Sequence, residues 1–314
     1  MRTDEEELLV QSIRAGTVRH RNILIVPATI DQLYRAAKTY KQAYDRSVKS
    51  GLMTEQGLEM WMIENTLLPK SFFASKKNIE DNIDSIKKDL YKNRFSSTSL
   101  KALRSNLKNT RAKLDDLISP KRSMFHQTCE YFAQTQKIIY LLQNTTFKNK
   151  ERYHPRNIDF IINIWQSSIL TETEVRYLAR SSTWKSIWNN RGFGFDLFKK
   201  RKNTDLTINQ RNLLTWSKVY DNIQESIDCP SDEVIADDDM LDGWFLIQKD
   251  KREQEAKERE RESLVGPKGK NSNMAKAGHV FLPKNRGYDI SSLNTGNDSL
   301  TTFESDIKVK TDEL

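Results

Sequence analysis

Ile79-Glu80-Asp81-Asn82-Ile83-Asp84-Ser85-Ile86-Lys87-Lys88-Asp89-Leu90 places its apolar residues in alternating steps of four and three. After a break at residues 93–97 the same spacing resumes at Leu100, Leu103 and Leu107, and again at Leu114 and Leu117. A four-three repeat turns one stripe of a helix toward a partner, so residues 75–118 are expected to form an antiparallel coiled-coil hairpin. Each fully buried Leu or Ile contributes about 1.5–3 kcal/mol, enough for nine such positions to hold two otherwise polar arms together.

Helical signals continue on both sides. Thr29 and Gln32 form a capping-box pattern ahead of Ile30, Leu33, Tyr34, Ala37, Tyr44 and Val48, and Gly51 stands where a left-handed residue ends a helix. Thr54 opens a second helix, with Leu58, Trp61 and Met62 on one face and Pro69 as its stop, expected to pair with the first. Pro120 is expected to restart the chain into a helix reaching Asn144 that packs on the hairpin. Pro155 suits a first helical position before Ile158, Ile161, Ile162, Trp165 and Ile169. Short helices follow at residues 173–179 and 183–190, and Thr207 with Gln210 repeats the capping box before Leu213, Trp216, Tyr220 and Ile223.

With 30% charged residues and only 11 Gly and 7 Pro, the composition favours helices over turn-rich sheets. The expected fold is all-α: a helical bundle with a long antiparallel coiled-coil hairpin and an extended, disordered C-terminal tail. Its layout is an N-terminal arm at 1–22 that needs a partner to order it, then a helical domain at 23–150 containing the hairpin. A second helical subdomain at 151–248, a charged helix at 249–262 and a flexible tail at 263–314 complete it.

No apolar run approaches the roughly 20 residues that span a bilayer, so no membrane is expected as a partner. Cys129 and Cys229 are too few and too far apart for a disulfide framework, and no secretory leader is read. No phosphate-cradling glycine loop, nucleophile elbow or locally supported Cys/His or Ser/His arrangement is present, so an enzyme is not expected. No cofactor or metal is expected either. His126 and Cys129 share a helix face without a further soft ligand, and Asp237, Asp238, Asp239 and Asp242 lack the alternating spacing of a calcium loop. Carboxylates complementing a helix N-terminus are the better reading of that acidic turn.

Two contact surfaces stand out. Met240, Leu241, Asp242, Trp244 and Ile247 form a last apolar set before residues 249–262, a segment too charged to bury them, and are expected to dock on another protein. The alternative is RNA or other single-stranded nucleic acid. Residues 191–198 resemble the RNP1 octamer of RNA-recognition motifs, in which aromatic residues on a sheet stack on bases, and residues 160–164 resemble its RNP2 companion strand. That module would use Arg191, Phe193, Phe195 and the basic cluster Lys199, Lys200, Arg201 and Lys202, although Asp159 and Asp196 occupy positions it keeps apolar.

The succession Gly51-Leu52-Met53-Thr54, the Ile/Lys/Leu-rich hairpin, Trp216-Ser217-x-x-Tyr220-Asp221, Pro230 and Asp238-Asp239-Met240-Leu241-Asp242-Gly243-Trp244 resembles virion structural and tail-assembly proteins of tailed bacteriophages over residues 25–260. The resemblance implies a non-enzymatic structural protein or assembly chaperone that binds other phage structural or tail proteins, or further copies of itself. It implies a place in the host cytoplasm during assembly, or in the finished virion. No catalytic residue is implied.

Overall fold

The computed structural model describes residues 3–155, 157–192, 196–199 and 203–265. Among them α1 (Thr3–Ala15), β1 (Val18–His20), β2 (Ile23–Ile25), α2 (Ile30–Lys49), α3 (Glu55–Glu64), α4 (Phe72–Lys92) and α5 (Ser97–Met124) come first. Then follow α6 (Cys129–Thr145), β3 (Thr146–Lys148), β4 (Glu151–Arg152), α7 (Ile158–Ser167), α8 (Glu172–Arg180) and α9 (Ser182–Asn189). The last are α10 (Ile208–Gln224), α11 (Asp232–Ala236) and α12 (Asp238–Val265). The chain is mostly helical, as its periodicity predicts.

The helical class holds, and the structure adds to it a small antiparallel sheet of order β1-β2-β3-β4 that the all-α expectation did not include. Strands of two or three residues are too short to show an alternating pattern, and the central pairing joins Ile23–Ile25 to Thr146–Lys148 across the chain. The β3–β4 connection is a two-residue turn with Asn149 at φ 52° and Lys150 at φ 72°, both left-handed without glycine. Ile23 and Ile25 face Leu142 and Ile161, so the sheet is a lid on the junction of α6 and α7.

Residues 1–22 also depart from expectation. Instead of waiting for a partner, α1 buries Val10 and Ile13 in the main core, beside Leu178, Trp184, Leu213 and Trp244. Gln210 makes the attachment: its Oε1 accepts from Thr207 N in the α10 capping box, while its Nε2 donates to Ile13 O at 2.8 Å, satisfying the end of α1. The signal for α1 was present in Val10 and Ile13, three apart behind an acidic first turn, but thirteen residues carry little period.

α4 and α5 pack on one another through buried Ile86, Leu90 and Leu107 and half-buried Ile83, Leu100 and Leu103. Val234 of α11 and Met240 of α12 close this cluster, so the pair does not stand alone. Pro120 lies inside α5 and restarts nothing; the break comes at residues 125–127. α3 packs Leu58 and Met62 on Phe72, Leu117, Ile118 and Met124, at the base of this hairpin and not on α2.

α2 instead runs antiparallel to α6, tied by Gln32 Nε2 to Asn144 O at 3.2 Å and by Cys129 N to Met53 O at 2.9 Å. Its buried face is Ala36, Ala43 and Ser47, opposite a helix that buries Cys129 and Ala133. Small residues let the two backbones approach, and the expected stripe is turned outward: Ile30, Tyr34 and Val48 are 60%, 73% and 46% exposed.

One compact unit spans Met1–Leu246, and the expected boundaries at 22 and 150 fall inside it. A second begins at Ile247, where α12 continues through the charged segment to Val265. Residues 251–261 are all exposed, with Lys249–Glu253 and Arg259–Glu255 paired one turn apart. The expected tail at 263–314 lies outside the described residues from 266 onward.

Candidate functional site

The acidic turn that opens α12 is the most densely bonded polar site. Asp237 Oδ1 accepts from the backbone N–H groups of Asp239 and Met240 at 3.0 Å each, capping the helix. Each carboxylate then meets a cation from another helix. Arg104 of α5 reaches Asp237 at 2.8 Å, and Arg111 of the same helix grips Asp239 with two donors. Lys87 of α4 and Arg176 of α8 share Asp242 at 2.8 Å each, and Arg180 donates to Asp238 at 2.7 Å. Five cations from three helices thus converge on one turn.

Arg176 is the innermost of them. Its guanidinium lies 3.9 Å from the centre of the Trp216 ring and also binds Glu172 Oε1 at 2.7 Å. Burial opposes its charge, but Asp242 and Glu172 together outweigh that and hold its pKa above the ordinary arginine value. Arg180 likewise bridges Tyr220 Oη and Ile235 O. Burial dominates at Tyr220 and raises its phenol to about 12 against the opposing Arg180 charge, so it stays neutral and accepts from Arg180. The turn is a clasp: it fastens α4 and α5 to α8 by hydrogen-bonded charge.

This corrects the expected docking surface. Leu241 is fully buried, Met240 is buried against Leu90 and Leu107, and Trp244 is 4% exposed within the main core. Asp242 is occupied twice, by Lys87 and Arg176. Ile247 lies one residue past the compact unit. The sequence misled because the charged run that follows begins only where α12 leaves the core. Gly243 was the missed signal. A Cβ there would stand 2.0 Å from Lys87 O, so only glycine lets α12 lie against the α4 backbone.

The RNA-recognition reading meets a similar correction. Residues 160–164 belong to α7, a helix with Ile161 fully buried, and not to a strand. Phe198 is buried and stacks on Trp184 at 6.0 Å. Arg191 covers the Trp188 ring at 3.9 Å and pairs with Asp221. Lys199 is exposed and donates its backbone N–H to Arg14 O. Phe193, Phe195, Lys200, Arg201 and Lys202 lie outside the described residues.

His126 binds Ser123 O while the Cys129 thiol is buried against Leu52 O, so the two do not converge. Among the described residues no group of three or more His, Cys, Asp or Glu side chains is arranged to hold a metal ion, and no helix is long and apolar enough to cross a membrane. Comparison of the chain with protein-family models, with curated proteins and with solved structures finds no match.

Proposed function

We propose that the chain is a non-enzymatic structural or assembly protein, of the kind that builds tailed-phage virions, and that it acts by binding other proteins. One observation supports this most: the end of the α2–α6 pair, where Val48, Leu52, Met53, Tyr131 and Phe132 are 46%, 38%, 42%, 43% and 37% exposed. Leu52 and Met53 are held against the first turn of α6 by Cys129, which donates to both their carbonyls, so these side chains crowd one end of the pair. Gathered apolar surface of this kind marks contact sites far more often than scattered single residues do. The virion setting rests on the resemblance of residues 25–260. In the same reading α4 and α5 form the coiled-coil hairpin that their four-three spacing suggests.

The test is co-expression with the products of the flanking genes. The expected result is a complex that survives gel filtration and is lost in Tyr131→Glu/Phe132→Glu, with helical circular dichroism unchanged. A parent chain that elutes alone beside every one of those products, or that turns over a substrate, would sink the reading.

A further inference from the structure

The two β-hairpins carry charge in a pattern unlike the clasp. Residues 18–25 and 146–152 contain Arg19, Arg21, Lys148, Lys150 and Arg152 against one carboxylate, Glu151. All five cations are exposed, and none makes an ion pair among the described residues. Their arrangement follows from the register. Arg19 pairs with Leu24, Leu24 with Phe147, and Phe147 with Arg152, so these four form one row across the sheet on the face opposite Ile23 and Ile25. Both tight turns fall at the same end, joined by Asn149 N to Asn22 O at 3.4 Å, with Arg21 on the β1 side and Lys150 on the β4 side of that contact.

The other face of this end opens on aromatic rings. His20 meets Phe160 edge-on at 5.9 Å, and the Lys148 ammonium lies 5.3 Å from the Tyr153 ring. Tyr153, His154, Asn157 and Phe160 line an open cleft of about 560 Å³, with Phe160 47% exposed. Cations on a rim beside exposed rings are what a single-stranded polynucleotide needs, since its phosphates require counter-charge and its unpaired bases offer faces to stack.

We propose that Arg21, Lys148 and Lys150 at the turn end beside the cleft, with Arg19 and Arg152 on the opposite face, bind the backbone of a single-stranded nucleic acid that passes round this end of the sheet, with a base entering the cleft against Phe160 and Tyr153. Three strand spacings of about 4.8 Å separate Arg19 from Arg152, roughly 14 Å, too far for one phosphate group and suited to a string of them. The aromatic cleft favours this occupant over a run of acidic side chains, which brings charge but no ring at each repeat. The site shares only Phe160 with the RNA-recognition reading above, which takes residues 160–164 as a strand where the structure has α7, and it shares no residue with the α2–α6 contact surface; it stands whether or not either holds.

The test is fluorescence anisotropy with a labelled oligothymidylate of about 15 nucleotides, titrated across a salt series. Each contacted phosphate on a single strand contributes about −0.7 to the slope of log affinity against log salt, so five contacts predict a slope near −3.5. Arg21→Asp/Lys150→Asp, which suits two left-handed positions, is expected to weaken binding more than about tenfold and to flatten the slope by about 1.4. Phe160→Ala is expected to weaken it about tenfold at unchanged slope, the mark of a lost stack. Lys101→Glu/Lys108→Glu on exposed positions of α5 makes the same change in net charge and is expected to leave affinity within about twofold. No binding by the parent at low salt would overturn the proposal. So would an equal loss in the α5 control, or tighter binding of polyglutamate or anionic vesicles than of the oligonucleotide.

Discussion

Asp237, Asp238, Asp239 and Asp242 cluster where α12 begins, and each accepts from a lysine or arginine carried by another helix. Arg19, Arg21, Lys150 and Arg152 crowd the sheet rim just as closely and make no ion pair among the described residues. Local sequence does not separate the two, since both are short runs of like charge. Their surroundings do. The turn lies where three helices meet, so its charge is used in holding them; the rim cations stand at the turns and on the sheet face away from α6 and α7, and their charge stays available. Charge density in a sequence therefore says nothing about function until the counter-charges are located.

The largest effect that could break this contrast is at Trp244. Trp244→Ala is expected to cost about 3–5 kcal/mol in urea unfolding, as loss of a buried indole in a packed core does. An effect below about 1 kcal/mol would return Trp244 to the role of a surface anchor. Trp244→Phe is expected to be nearly neutral, because the indole N–H is buried without a partner and its removal relieves an unmet donor.

Next comes the clasp. Arg176→Ala leaves Asp242 and Glu172 without their central cation, at a loss of about 3 kcal/mol, whereas Arg111→Ala on the exposed side is expected to cost less than about 1 kcal/mol. Equal losses would mean that the clasp is a set of independent surface pairs. Gly243→Ala tests the geometry behind it. Alanine is the better helix former by about 1 kcal/mol, yet the approach to Lys87 O should make the variant less stable by about 1–3 kcal/mol.

Alkaline titration probes the same region. Tyr220 is raised from 10.0 to about 12 by burial, so the folded state favours its neutral form. That contribution is fully present below pH 10 and is lost as pH rises toward about 12, on the order of 2 kcal/mol in all. Chemical denaturation at a series of pH values should show the decline, and Tyr220→Phe should remove it. The smallest effect belongs to the rim: Arg19→Ala and Arg152→Ala are expected to change stability by no more than about 0.5 kcal/mol, because neither is bonded within the fold. A larger loss would show that the rim is structural after all.

Much of the helical framework was legible. Thr29 with Gln32 and Thr207 with Gln210 cap α2 and α10 as read, and Gly51 has the positive φ expected of a terminator. The α7 stripe of Ile158, Ile161, Ile162 and Trp165 packs as spaced. α2 was harder. Ile30 and Tyr34 carry far more apolar area than Ala36 and Ala43, yet close approach to α6 selects the small side chains. The clasp was half legible: the carboxylates and the helix N-terminus could be read, while Arg176, Arg180, Lys87, Arg104 and Arg111 were ordinary surface cations until the fold brought them together.

The amino-acid sequence determined where helices begin, end and repeat, because caps, terminators and side-chain periods act between residues three or four apart. Only the tertiary structure decided which stripe of α2 is buried, that α1 joins the C-terminal core, that strands 23–25 and 146–148 pair, and that Trp244 points inward. Each of those depends on groups far apart in the chain, whose meeting is settled by packing and counter-charge across the whole molecule.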